Sequence, residues 1–529
     1  MWKINTHGKF AFIKIALICI MLMLISVLSE AAVNVKPAAK SQSPVVKPKY
    51  GGVLKIIMPM SVVNLGCPWE KALPTDSHFR QPVMETLVRC DEKGLPVPWL
   101  ATSWTLSKDR GSVTFVLRKN VKFHDGEELN AEAVKANFDM VRVSPNVPVL
   151  KEIESIDVLD KYTVRLNLSR FEPAIFNVLA SGASNLISPA AIKKGKEFCL
   201  THPVGTGPFK MGSFQRDVSL RYERFDGYWQ KGKPYLDAIE WTFIADRVAA
   251  QMAFKAGQGQ AIYGINPVDA ADLQAMRKYT IVSTPSAVFG LVGDTGNTKS
   301  PFANIKVRKA IEHAINKEEI TKAMGYGFYK TTNQPAPQES WYYSTKVVGY
   351  PYNPKKAKEL LTQAGYPSGF KTRIIIQTTT AKDVYVAVQN DLAQVGIDAK
   401  LEVVAPAAYA EVQTKGWDNA LLYYNIPMGI GQDPGQALGN NLSSRGRYFS
   451  IMHPAAYEKK LSAAIMELDK KKRAAIFQEL MKAITDDQAM IHLIYLGMWI
   501  SAKSPELRDA RLSEFWFQQW TPEDAWLNK

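Results

Sequence analysis

Alternation of period two and stripes of period 3.6 divide most of the 529 residues into recognisable elements. From Ser112 to Arg118 the apolar Val113, Phe115 and Leu117 alternate with Thr114, Val116 and Arg118, the pattern of a strand with one face buried. Asn130 then stands as a cap ahead of Val134, Phe138 and Val141, which share one helical face. Two further helices signal where they begin and end. Asn304 precedes the stripe Val307, Ala310, Ile311, Ala314 and Ile315, and Asn353-Pro354 opens a stripe through Ala357, Leu360, Leu361 and Ala364 that Gly365 stops. A helix over 383–394 ends before Gly396 and leads into a strand over 397–404, so strand and helix alternate as they do in an α/β layer. No unit of about 20 to 50 residues recurs, which excludes solenoids and propellers.

The start of the chain follows another pattern. Lys3, Lys9 and Lys14 precede an apolar run from Ile15 to Leu28, and Ser29-Glu30-Ala31 sets small residues at the two positions a signal peptidase reads, which predicts a secretory leader over 1–31. The run falls short of the ~20 residues a bilayer span needs. Cys19 follows Ile18, where a lipoprotein signal carries a small residue, so a soluble periplasmic product is expected. Residues 32–49 are mostly Pro, Lys, Ala and Ser and read as a flexible tether, with the fold starting at Gly51-Gly52-Val53-Leu54.

Composition narrows the class. With 46% hydrophobic and 22% charged side chains the chain is globular, and its length suits two or more domains. The formal charge of +15 falls to near +9 once the leader and the tether lysines are set aside. Such an excess can steer an acidic ligand, a nucleic acid or an anionic surface. The lysines are scattered, however, and the one run, Lys470, Lys471, Lys472 and Arg473, reads as the solvated face of a helix, so no nucleic-acid partner is expected. Cys67, Cys90 and Cys199 remain after the leader, and in an oxidising compartment the favoured pairing is Cys67 with Cys90. No spacing resembles a zinc site, and neither metal nor cofactor is expected. The chain lacks a Gly-x-Ser-x-Gly elbow, a His-Glu-x-x-His pair and a phosphate-binding Gly-x-x-x-x-Gly-Lys-Ser/Thr loop, and its seven histidines are isolated from one another. The expectation is a protein that is not an enzyme.

Pro98-Trp99-Leu100-Ala101-Thr102-Ser103-Trp104, followed by the stretch from Phe115 to Gly126, resembles the most recognisable segment of family 5 of the extracytoplasmic solute-binding proteins, the oligopeptide, dipeptide and nickel receptors of ABC importers. Further matches keep the family's order: Val204-Gly205-Thr206-Gly207-Pro208-Phe209, Pro234-Tyr235-Leu236-Asp237, Val307-Arg308-Lys309-Ala310-Ile311, Ala364-Gly365-Tyr366 and Val395-Gly396-Ile397. The resemblance implies a two-lobed α/β fold of the periplasmic-binding type II with a subdomain inserted in the first lobe. It places lobe 1 at 50–287 with the insert at about 68–200, lobe 2 at 288–497 and a C-terminal return at 498–529. The chain would cross between lobes near Ser286 to Gly290 and Leu496 to Ile500, and a monomer would hand its ligand to a membrane permease.

Peptide receptors of this family carry a Trp-x-x-Asp segment just before a second acidic residue and proline, and the first Asp clamps the peptide's amino group. Here Ala420-Leu421-Leu422-Tyr423-Tyr424-Asn425 leads through a longer loop to Asp433-Pro434, so tyrosine replaces tryptophan and the first Asp is missing. A hydrogen bond to a charged group contributes about 1.5 to 3 kcal/mol, so loss of that clamp weakens a free amine's binding roughly 10- to 100-fold. The expected ligand contacts are Tyr424, Asn425, Asp433, Arg445, Tyr495 and Trp499, with one of the adjacent tyrosines turned to the cleft, Tyr495 and Trp499 as an aromatic wall, and Arg445 or Arg447 available to a carboxylate. On that reading Asp433→Ala costs affinity and leaves the unliganded fold nearly as stable. The leading expectation is a receptor for a small peptide or peptide-like solute. A metal chelate or another organic solute in the same fold, an exported hydrolase and a basic protein adhering to anionic surfaces are the competing ones.

Overall fold

The computed structural model describes residues 47–71, 76–91, 94–146, 150–428, 432–512 and 520–529. Its compact unit runs from Lys49 to Lys529, so the expected leader and most of the tether lie outside the described residues. The strands used below are β1 (Val53–Met58), β2 (Ala101–Leu106), β3 (Ser112–Leu117), β4 (Ile153–Asp160), β5 (Thr163–Leu168), β6 (Phe209–Gln215), β7 (Ser219–Arg224), β8 (Ala238–Phe243), β9 (Ala261–Tyr263), β10 (Thr280–Gly293), β11 (Lys330–Thr331), β12 (Phe370–Gln377), β13 (Ile397–Val404), β14 (Ala420–Pro427) and β15 (His492–Lys503). The helices are α1 (Asp76–Arg80), α2 (Ala131–Arg142), α3 (Ile305–Ala314), α4 (Pro354–Gln363), α5 (Lys382–Gln394), α6 (Pro406–Lys415), α7 (Pro434–Leu442) and α8 (Lys470–Lys482). The three asparagine caps act as the sequence indicated: Asn130, Asn304 and Asn353 accept hydrogen bonds from the amides of Ala133, Lys306 and Lys356, at the starts of α2, α3 and α4.

One sheet organises the molecule, in the order β13-β12-β14-β10-β15-β9-β1-β8-β7-β6, with β11 also on β15. It holds two parallel sets, β12 with β13 and β14, and β1 with β8 and β9. The long strands β10 and β15 run antiparallel between them. The apolar core divides at the same place. Leu54, Ile56 and Trp241 belong to one cluster and Ile374, Ile376 and Leu421 to another, and these are the cores of two lobes. β2, β3, β5 and β4 form a separate antiparallel sheet beside α2, inserted between β1 and β6 in the first lobe.

Register shows which ends meet at the junction. Tyr263 pairs with Ser501 and Ala261 with Lys503, so β9 and its parallel partners β1 and β8 point their carboxyl ends at the crossing. Pro427 pairs with Ala287 and Leu421 with Gly293, so β14, β12 and β13 point theirs at it from the other side. Ligands of open α/β sheets bind outside such carboxyl ends.

At the crossing the ladder between β10 and β15 shifts register between Pro285 and Ala287. Proline has no amide hydrogen to offer a ladder and is tolerated at bulges for that reason. The Ser286 hydroxyl bridges the gap by donating to the Gly497 carbonyl at 3.0 Å. A Cβ on Gly497 would lie 2.4 Å from the Phe289 ring, so the close packing of these strands requires glycine there.

The family motifs converge on one buried carboxylate that the sequence did not single out. Glu85 accepts from Trp99 Nε1 at 2.7 Å, Thr206 Oγ1 at 2.8 Å, Tyr228 Oη at 3.0 Å and Trp229 Nε1 at 3.0 Å. Burial pushes its pKa above the usual carboxylate range despite Arg89 and these donors. The glycines flanking Thr206 let the loop approach: a Cβ on Gly205 would sit 2.0 Å from the Val83 carbonyl oxygen.

No disulfide joins Cys67, Cys90 and Cys199. The expected neighbour of Cys67 is also corrected: the Leu65 amide donates to the Leu200 carbonyl at 2.9 Å, which sets Cys199 rather than Cys90 beside it. Burial, with Cys199 adding, pushes the Cys67 thiol up to about 12.

Candidate ligand site between the lobes

The first lobe presents an aromatic surface to the junction. His78 of α1 stacks on Trp499 of β15 with centroids 5.8 Å apart and planes 20° apart, and lies 5.0 Å from the Tyr263 ring at the end of β9. Enclosed there, the imidazole has its pKa lowered to about 4 by burial and is neutral at physiological pH. Trp499 packs on the first lobe's core while its neighbour Met498 packs on the second's, so β15 changes lobes between these two side chains.

The second lobe brings a stack of three rings, with Tyr495 between Phe289 at 4.9 Å and Tyr329 at 4.8 Å. Tyr495 is itself buried. Tyr423 meets Phe289, Tyr385 and Tyr409, and the Tyr409 hydroxyl donates to the Tyr423 carbonyl. Tyr424 lies on the opposite face against Tyr448, 5.2 Å away, and is wholly buried. β14 is central and covered on both faces, so both tyrosines are core residues and neither stands free in the cleft.

Asp433 turns away from the cleft. Its Oδ1 accepts from the amides of Gly435 at 2.9 Å and Gln436 at 3.2 Å, capping α7. Both of its carboxylate oxygens meet the Arg473 guanidinium, at 2.7 and 3.0 Å, and the Asp433 side chain is 4% exposed. The expectation that removing Asp433 leaves the fold stable is thereby reversed, because a buried arginine would lose its counter-charge. The basic run is corrected too: Lys470, Lys471 and Lys472 are exposed, whereas Arg473 is buried.

Asn425 is half-buried near the carboxyl end of β14, where its carbonyl accepts from Arg447 Nη2 at 2.7 Å and its Oδ1 from the same nitrogen at 3.1 Å. Arg447 also donates from Nε to Asn441 Oδ1 at 2.6 Å. Arg445 is exposed, and its described contact is a backbone amide donating to Ser443 Oγ. The structure thus places Trp499 and Asn425 at the junction, buries Tyr424, Tyr495 and Asp433, and sets Arg447, rather than Arg445, in an oriented position.

Histidines elsewhere are held by the fold. His124 Nε2 meets the Gly207 carbonyl at 3.0 Å, and His492 Nδ1 meets Glu312 at 2.9 Å. Glu312 also pairs with Lys317. Although burial would raise it, Lys317 and His492 hold the Glu312 carboxyl below its usual range. Among the described residues no group of three or more His, Cys, Asp or Glu side chains is arranged to hold a metal ion.

Comparison with known proteins agrees with this architecture. The model of the family described as bacterial extracellular solute-binding proteins, family 5 middle, matches residues 96–447. The glutathione-binding protein GsiB of Salmonella choleraesuis (strain SC-B67) is 32% identical over 423 residues, covering 77% of this chain and 82% of that protein. The periplasmic binding protein DppA of Helicobacter pylori, solved with the peptide STSA, is 25% identical with a TM-score of 0.75 over 91% of this chain and 99% of that one. NikA of Brucella suis, solved with Fe(III)-EDTA, shares the fold with a TM-score of 0.77 at 24% identity, covering 90% of this chain and all of that one. The chain belongs to family 5 of the bacterial extracellular solute-binding proteins, the solute-capturing components of ABC importers.

Proposed function

We propose that the protein is a periplasmic receptor that closes its lobes on a small peptide or peptide-like solute and passes it, chemically unchanged, to the permease of an ABC importer. The supporting observation is the convergence of both parallel strand sets on the crossing, with an aromatic wall on the first lobe's side and an oriented arginine near the carboxyl end of β14 on the second's. On this reading residues 1–31 direct export, 32–49 form a tether, lobe 1 spans 50–287 with its insert at about 68–200, lobe 2 spans 288–497, and 498–529 return to lobe 1. The receptor works as a monomer, and bending at Pro285, Ser286 and Gly497 closes it.

The similarity to a glutathione-binding protein, and to a receptor solved with a tetrapeptide, supports a short peptide-like solute. Loss of the amine-clamping Asp in the β14 loop directs recognition toward other parts of that solute. Native mass spectrometry of the purified protein followed by thermal-shift screening tests this. Glutathione or short peptides are expected to raise the melting temperature of the wild type. A shift with metal chelates alone would replace the peptide reading with a chelate receptor.

A further inference from the structure

Resting on the receptor reading above, we propose that Arg447 anchors a carboxylate of the bound solute from the second lobe. Its position follows from where a ladder stops. β14 pairs with β12 from Arg373 opposite Ala420 to Ile375 opposite Leu422, and beyond that the β12 edge of β14 has no strand partner among the described residues. There the Tyr423 carbonyl accepts from Tyr409 Oη, the Asn425 amide donates to buried Tyr448 Oη at 3.1 Å and the Asn425 carbonyl accepts from exposed Arg447, so Arg447 lies over these rings beside the carboxyl end of β14.

The arginine is oriented without being neutralised. Nε is held by Asn441 Oδ1 and Nη2 by two oxygens of Asn425, all belonging to uncharged groups. Nη1 has no described protein acceptor, the side chain is exposed, and no acidic residue forms an ion pair with it among the described residues. Arg473 shows the contrast, with its charge matched by Asp433 inside the lobe. A guanidinium fixed in advance loses little rotamer freedom when an anion arrives, and planar N–H groups suit a carboxylate. Arg445 lacks any such side-chain support among the described residues. One charge-assisted hydrogen bond corresponds to about a 10- to 100-fold difference in affinity.

Calorimetric titration of wild type, Arg447→Gln, Arg447→Lys and Arg445→Gln with matched acid and blocked ligands tests the proposal. The pairs are glutathione and its diethyl ester, Ser-Thr-Ser-Ala and its C-terminal amide, and succinate and succinamide. The wild type is expected to favour an acid over its blocked form at least about 10-fold. Arg447→Gln erases that preference, Arg447→Lys keeps part of it and Arg445→Gln keeps it whole, with melting temperatures unchanged in all three. An acid preference that survives Arg447→Gln overturns the anchor and leaves the receptor reading standing. Preference for succinate that depends on Arg447, with no peptide bound, overturns the peptide reading and supports the anchor. A wild type that binds only the blocked forms, or none of the panel, overturns both.

Discussion

Both lobes bring aromatic rings toward the crossing, and they differ in the polar group that accompanies the rings. The first lobe offers a neutral aromatic surface, in which even the ionisable member, His78, is kept uncharged by its enclosure against Trp499 and Tyr263. The second lobe offers a charged group, Arg447, whose direction is set by two asparagines. Apolar contact is tolerant of shape and chemistry, whereas a fixed guanidinium is selective. Under the proposed anchoring by Arg447, one face covers many solutes while the other chooses among them.

Buried carboxylates are satisfied in two ways in this protein. Glu85 is satisfied by hydroxyl and indole donors, and burial wins over them in setting its pKa upward, whereas Glu523 and Asp269, also buried, pair with Arg89 and Arg247. In the second lobe, Asp433 is matched by Arg473, and Glu312 by Lys317 and His492. These two carboxylates therefore depend on particular cations, and removing one member of a pair leaves the other stranded, whereas Asp294 is held by the amides of Asn297 and Asn419.

The largest expected effect follows from that dependence. Asp433→Asn leaves Arg473 buried without its counter-charge and should cost about 3 to 5 kcal/mol of unfolding free energy, read by urea denaturation of the unliganded protein. Unchanged stability together with lost ligand binding would return Asp433 to the role of a ligand clamp.

A smaller effect is expected in the first lobe on acidification. His78 titrates near 6.5 when unfolded and at about 4 when folded, so the unfolded chain binds more protons in between. Stability is full above pH 6.5 and falls as pH drops toward 4, by at most about 3 kcal/mol from this one group. His124, lowered to about 4 mainly by burial, adds in the same direction. Melting temperatures of wild type and His78→Phe between pH 7 and pH 4 measure the difference, and equal pH slopes for the two would remove His78 from the account.

What was legible in the sequence was what is local. The caps Asn130, Asn304 and Asn353 bond to amides two or three residues away, so their spacing revealed them. The roles of Asp433 and Glu85 depend on partners distant in the chain. Arg473 stands 40 residues from Asp433, at the end of a lysine run that resembles a solvated face, and only packing shows that it turns inward. Glu85 collects donors from four separate positions and belongs to no pattern of its own. For Tyr423 and Tyr424, alternation put them on opposite faces but could not show that both faces of β14 are covered. Arg447 and Arg445 look alike in sequence and differ in the asparagines that hold one of them.

A crystal structure with the solute that the screening identifies shows directly where that solute sits. The solute is expected at the crossing of β10 and β15, against Trp499 on one side and within hydrogen-bond distance of Arg447 on the other. A groove of about 640 Å³, lined in part by Asp294, Asp418, Phe449 and His453, lies at the opposite end of the second lobe's sheet, and a solute seated there would contradict that placement.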